Sequence, residues 1–296
     1  MRIPPYISEW LNLAARWFHV FAGILWVGTT FFFTWLDGRF TEEEKKAGGK
    51  GEPGEVWMVH SGGFYVVGKR KQPGQRELHW FRWEAALTWL SGVVLLVLLY
   101  YIGGESTLAD TDVKTGFVRW LDGLPGQWLW SRLNLAANYG TFALCFGVGL
   151  LIVGWLIYDL LLLSPLGRNE WAFAAVAYLL VVCAAFASTH VLTGRAAFLH
   201  VGAMFGTIMV SNVWMRILPA QRRMIAATKR GEAPDASDAA RAKLRSKHNT
   251  FMAVPVVFTM ISNHYPVSTY GHEHNWLILS ALVLVGWAAA KIIRRA

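Results

Sequence analysis

The sequence predicts an all-α integral membrane protein: a bundle of about seven transmembrane helices with a small cytoplasmic β-hairpin, one domain over residues 1–296. Three observations predict it. Only 16% of the residues are charged and the mean hydropathy is +0.34, whereas soluble domains carry about a quarter of their residues as charges. The 28 Lys and Arg crowd into two segments, Arg39–Arg82 and Arg222–Lys247, between long apolar runs. Sixteen Trp, nine Tyr and seventeen Phe suit two interfacial aromatic belts. This balance excludes a disordered chain, a nucleic-acid tail protein and an ordinary cytosolic enzyme; the bilayer is the partner.

A hydrocarbon core of about 30 Å takes roughly 20 helical residues, which yields these spans in order. Trp10–Leu36 follows the polar start Met1–Glu9 and is too long for a signal-peptide core, so it stays attached as the first span. In the basic segment after it, the apolar arms of Val56–Val67 flank Ser61-Gly62-Gly63 and read as a β-hairpin. Arg82–Ile102 is the second span. Tyr139–Leu163, Trp171–His190 and Ala196–Leu218 follow, with hardly a charge to interrupt them. Lys229–Lys247, with Gly231, Pro234 and mixed charges, reads as a solvated loop able to touch anionic headgroups. His248–His264 is a short apolar span that Pro255 should kink. Trp276–Ile293 is the last. With the N-terminus outside, 21 Lys and Arg fall on the cytoplasmic side against 5 outside. That bias predicts a multi-pass protein of a bacterial-type inner (plasma) membrane, with its C-terminus in the cytoplasm.

Chemistry rests with the histidines. The two cysteines, Cys145 and Cys183, lie in apolar runs and offer no disulfide framework or C-x-x-C-H haem attachment. His19 and His200 fall inside spans, where an ionisable group needs a partner or a ligand. Gly23 and Gly202 or Gly206 near them leave room for a flat macrocycle. The pair could therefore serve as axial ligands of a b-type haem, although Gly202-x-x-x-Gly206 is equally a helix-packing motif. At the inner face, His79 with Arg82 and Trp83, His248 with Asn249, and His60 make either a polar pocket or a snorkelling aromatic belt. Asp37 and Asp159 end apolar runs and read as lone interfacial carboxylates. At the outer ends, His190 and the cluster Asn263-His264-Tyr265-Pro266 are further candidates for a site or a gate.

Several segments carry a resemblance. These are Arg16-Trp17-Phe18-His19 with Gly23–Gly28 and Trp35-Leu36-Asp37, Leu78–Glu84, Gly154–Asp159, Gly194–Met204 with Asn212-Val213, Arg245-Ser246-x-His248-Asn249, and Met260–Pro266. In order, over nearly the whole chain, they resemble the membrane-bound urate oxidase (urate hydroxylase) family. The resemblance implies oxidation of urate to 5-hydroxyisourate in purine breakdown. It implies catalytic roles for His79 and His248, and substrate contacts for Arg82, Trp83 and Asn249. Members of that family commonly continue into a cytochrome c domain, so an acceptor of cytochrome c type is expected here as a separate protein. His19 also looks distantly like the haem-linked histidine of the membrane-bound protoporphyrinogen oxidase family. The alternatives are a haem-binding oxidase or cytochrome b for another substrate, and a non-enzymatic transporter or scaffold.

Overall fold

A computed structural model describes residues 4–46, 48, 54–70, 77–102, 105–123 and 137–294. Helix α1, Pro5–Lys46, has 42 residues, roughly 63 Å at about 1.5 Å per residue, twice a bilayer core. Its C-terminal end therefore continues past the apolar stretch and receives the hairpin β1 (Glu55–His60) and β2 (Gly63–Gly68). The two strands pair antiparallel from Glu55↔Gly68 to His60↔Gly63, so the expected hairpin forms with Gly63 in the second strand rather than in the turn. Ser61 and Gly62 turn with φ of 50° and 77°, the left-handed pair a two-residue hairpin demands. Val56 seats the hairpin on Leu36 and Phe40 of α1, and Lys69 pairs with Asp37 at 2.7 Å.

Helix α2, Trp83–Leu96, widens into a π turn over Val97–Tyr101. Short helices α3 (Glu105–Leu108) and α4 (Thr111–Asp122) follow, in a stretch for which the sequence predicts no element; the Asp110 carboxylate caps α4 by accepting from the Val113 N–H. The remaining helices are α5 (Tyr139–Leu163), α6 (Glu170–Val191), α7 (Gly194–Ser211), α8 (Leu218–Lys229), α9 (Ala236–Ile261) and α10 (Asn275–Ile293). A second π turn, Asn212–Ile217, joins α7 to α8 without a break.

Among the described residues six helical stretches are long and apolar enough to cross a membrane, not about seven. The missing one is His248–His264. It belongs to α9, which starts twelve residues earlier at Ala236 and carries Arg241, Lys243, Arg245 and Lys247 in its first half. The solvated loop expected over Lys229–Lys247 thus shrinks to residues 230–235. Asp235 starts the helix by accepting from the Ser237 N–H at 2.7 Å, and Asp238 is held by Arg223 at 2.7 Å and Arg241 at 2.8 Å. Pro255 stays inside α9, its ring seated against Gly286 of α10, where a Cβ would come within 2.9 Å. The centre of the bundle is α7. Phe198, Val201, Met204, Phe205, Ile208 and Met209 interlock there with α6, α9 and α10.

Candidate functional site

Three elements converge at the α5–α6 end of the bundle: the end of α5, the π turn after α7 and the middle of α9. Asp159, near the end of α5, accepts from Arg216 Nε at 3.0 Å and also pairs with Arg216 Nη2. Arg245 Nη2 of α9 reaches the same carboxylate at 2.6 Å, with both side chains only 6% exposed. Asn212 is fully buried, accepts from Arg245 Nη1 at 2.9 Å and donates to Asn249 Oδ1 at 2.9 Å. Its amide also lies 3.2 Å from the Tyr158 hydroxyl, which is 2.9 Å from His248 Nδ1. Arg245 covers the Tyr158 ring at 5.2 Å, and His248 stacks on Phe173 with centroids 5.1 Å apart. His248 Nε2 makes no hydrogen bond among the described residues.

The local cause is the π turn. An i→i+5 turn shifts the side-chain register of the helix, and such turns recur at functional sites. Here it points Asn212 at α9 and Arg216 at α5. Asp159 is therefore not the lone interfacial carboxylate that the sequence suggests. A carboxylate removed from water needs cations and donors around it, and two arginines from two other elements supply them. Arg216, standing alone in an apolar run, was the signal: a charge at that depth requires an opposite one.

The other predicted residues fall elsewhere. His79 is exposed before α2, edge-on to Phe81 at 4.6 Å; Arg82 lies 5.5 Å over the Trp83 ring, and Trp83 meets Trp214 at 6.0 Å. His60 is exposed on the hairpin. Among the described residues no hydrogen bond, ion pair or ring contact joins these to His248 or Asn249, so the single inner-face pocket divides in two. At the opposite end, Asn263 accepts from Arg195 Nε at 2.9 Å, His264 is exposed, and His190 Nδ1 lies 2.7 Å from the Phe186 carbonyl oxygen.

His19 and His200 were the candidates for a shared haem. His19 Nδ1 faces the Thr88 carbonyl oxygen and Ser91 Oγ, each at 3.0 Å, and its ring lies on Gly92, where a Cβ would come within 3.1 Å. His200 is wholly buried, with Nδ1 2.8 Å from the Ala196 carbonyl oxygen and Nε2 3.0 Å from the Tyr101 hydroxyl. Gly147 presses on its ring, since a Cβ there would sit 2.9 Å from Nε2. Their partners, Ser91 on α2 and Tyr101 at the end of the π turn that continues it, are ten residues and roughly 15 Å apart along the axis at about 1.5 Å per residue. Axial imidazoles each need a free nitrogen on opposite faces of one macrocycle. The pair does not fit that arrangement.

Beside the polar network lies a cavity of about 960 Å³ between α5, α6, α7, α9 and α10. Its walls are apolar except at the α5–α6 end, where Tyr158, Glu170, Lys247, His248, Lys291 and Arg294 line the mouth. Lys247 and Glu170 pair there at 2.8 Å, and Lys291 sits 5.2 Å over the Trp171 ring. Among the described residues outside the spans, Asp238 is the carboxyl most strongly perturbed. The guanidinium groups of Arg223 and Arg241 hold Asp238 well below the usual carboxylate range.

No curated protein and no solved structure matches the chain. A family model described as Urate oxidase N-terminal matches residues 5–120 and 131–295, which include every helix of the network and of the cavity. The chain belongs to the urate oxidase N-terminal family.

Proposed function

We propose that this protein is a membrane oxidoreductase that converts urate to 5-hydroxyisourate, with urate entering the cavity at its α5–α6 end. Family membership supports the substrate class and an oxidoreductase activity. The observation that carries the reading for this chain is the chemistry of the cavity mouth. Urate is a planar anion. Lys247, Lys291 and Arg294 outnumber the single carboxylate Glu170 there, and Trp171 and Phe173 offer aromatic faces. His248, held at Nδ1 by Tyr158, presents Nε2 as a base for the proton released as water adds to the purine. Asn249, Asn212 and Arg245 act through Tyr158 and the helix packing; they are positioning residues. The excess of basic residues around this end supports a mouth that opens to the cytoplasmic side.

The test is urate turnover by the purified full chain with ferricyanide as acceptor. A positioned general base is worth about 10²–10⁴-fold. His248→Ala should therefore lower kcat at least about 10²-fold at unchanged thermal stability, whereas His79→Ala should stay within twofold. Equal losses in both variants would return His79 to the site. Absence of both turnover and urate binding in the unmodified protein would reject the reading. A reduced-minus-oxidised spectrum checks the haem argument separately: a Soret band present in the unmodified protein and lost in His200→Ala would restore the histidine pair.

A further inference from the structure

The β-hairpin presents two unlike faces. Val56, Met58 and Val67 turn one of them to Leu36 and Phe40 of α1. The pairing puts Trp57 opposite Val66 and Val59 opposite Phe64, and residues two apart in a strand share a face. These four make up the other face. Their side chains are 67%, 45%, 70% and 81% exposed, in the order named, and no charged residue lies between them. At about 150–250 Å² for a whole aromatic side chain, together they expose on the order of 500 Å². An apolar patch of that size marks an interaction site for a protein or a membrane. A two-stranded hairpin is also marginal in water on its own, and α1 covers only one side of this one.

The level of the hairpin selects the occupant of that face. The apolar stretch of α1 ends at Leu36, ahead of Asp37 and Arg39. Phe81, just before α2, meets Phe33 at 4.9 Å, so the chain re-enters the bundle at about the same height. Phe40 lies four residues past Leu36, roughly 6 Å at about 1.5 Å per residue. The headgroup zone on each side of a hydrocarbon core is about 5–8 Å deep. The hairpin, seated on Leu36 and Phe40, therefore stands in that zone. We propose that the face of Trp57, Val59, Phe64 and Val66 inserts into the lipid interface of the membrane that α1 crosses, as an anchor beside the bundle. Tryptophan suits that zone, with an apolar ring and an N–H that stays wet. The outer edges of the two strands carry unpaired backbone groups, which water and headgroups satisfy there and hydrocarbon does not. A second copy of the chain fits less well, since a stable interface takes about 800 Å² from each partner. The anchor stands independently of the urate reading.

The experiment uses the full chain in phosphatidylcholine nanodiscs, with the two exposed cysteines, Cys145 and Cys183, replaced by alanine. An environment-sensitive fluorophore (NBD) goes onto Phe64→Cys. Separate samples carry it on Val59→Cys, across the strand pair, and on Glu44→Cys, at the exposed end of α1. At positions 64 and 59 the emission should shift to the blue. A nitroxide near the headgroup end of the acyl chain should quench it several-fold more than one near the methyl end. Aqueous iodide should quench both positions several-fold less than position 44. Trp57→Asp should raise iodide quenching at position 64 several-fold, because a carboxylate lifts the face out of the interface. Iodide quenching at 64 and 59 that equals that at 44, with no effect of either nitroxide, would put the face in water and overturn the proposal. Stronger quenching from the methyl end would put it in the hydrocarbon core and overturn the interfacial anchor. Shielding from iodide and from both nitroxides, in nanodiscs that hold two copies of the chain, would assign the face to a second copy instead.

Discussion

Helices α1 and α7 are both apolar and long enough to cross a bilayer, yet they occupy opposite situations. About 17% of the apolar stretch of α1 is buried, against 89% for α7 continuing into α8. The difference lies in side-chain size. On α1, Trp17 is 75% and Ile24 64% exposed, large groups suited to lipid. On α7, Ala196 and Ala197 are fully buried and Gly202 lies against the Thr259 side chain, so neighbouring helices come close. Without a hydrophobic difference between lipid and side chain, close packing and interhelical hydrogen bonds decide which helix goes to the centre. The central helix and its π turn then carry His200, Asn212 and Arg216, which find partners on the helices packed around them.

The largest effect should come from the buried charges. Asp159→Leu leaves Arg245 without its carboxylate and should cost about 3–5 kcal/mol, read as a large drop in thermal stability in detergent. Asp37→Ala breaks only the exposed pair with Lys69 and should change stability by less than about 1 kcal/mol. Equal effects would show that the network at Asp159 is solvated. Next come the glycines. A Cβ on Gly202 would clash with Thr259 Oγ1, so Gly202→Ala should cost about 1–3 kcal/mol. On α1 a Cβ at Gly28 meets nothing within 4 Å, and Gly28→Ala should stabilise by up to about 1 kcal/mol through helix propensity. A destabilised Gly28→Ala would mean that α1 has a partner on that face.

The smallest effect is one of pH. Asp238 has a folded pKa depressed by Arg223 and Arg241 from the ordinary 3.8. A depressed carboxyl contributes stability above its unfolded pKa and loses it as pH falls toward the folded value. Protection of the amides at the start of α9, taken relative to their intrinsic exchange rates, should therefore fall below about pH 4, and Asp238→Asn should show the lower protection already at neutral pH. Protection that is flat with pH in the unmodified protein would mean that the arginines do not hold this carboxylate.

How much of the site was legible varies by residue. His248 and Asn249 stood out as polar groups beside an apolar run, and each joins the network through its own partner, Tyr158 and Asn212. Tyr158, Asn212 and Arg245 were visible only as pieces of a resemblance, Asp159 as a lone carboxylate ending an apolar run, and Arg216 only as an isolated charge. What joins them is a π turn, which has no hydropathy signal, since every residue in it also suits an α-helix. The same holds for Val97–Tyr101, which sets Tyr101 against His200. His79, Arg82 and Trp83 share an expected depth with His248 but not a side of the bundle, and depth is all that a linear span count conveys.

The sequence by itself determined that the chain is a bundle of apolar helices, where most of those helices begin and end, the β-hairpin, and the uneven placement of basic residues. These follow from local quantities: hydropathy over about 20 residues and turn chemistry. Only the tertiary structure decided that α7 lies at the centre, that α9 extends back to Ala236, that Asp159 is shared by two arginines and that His19 and His200 face different stretches of the bundle. Those outcomes depend on which helix faces meet, and in a membrane that choice rests on small-residue packing and on polar groups finding partners across tens of residues of sequence.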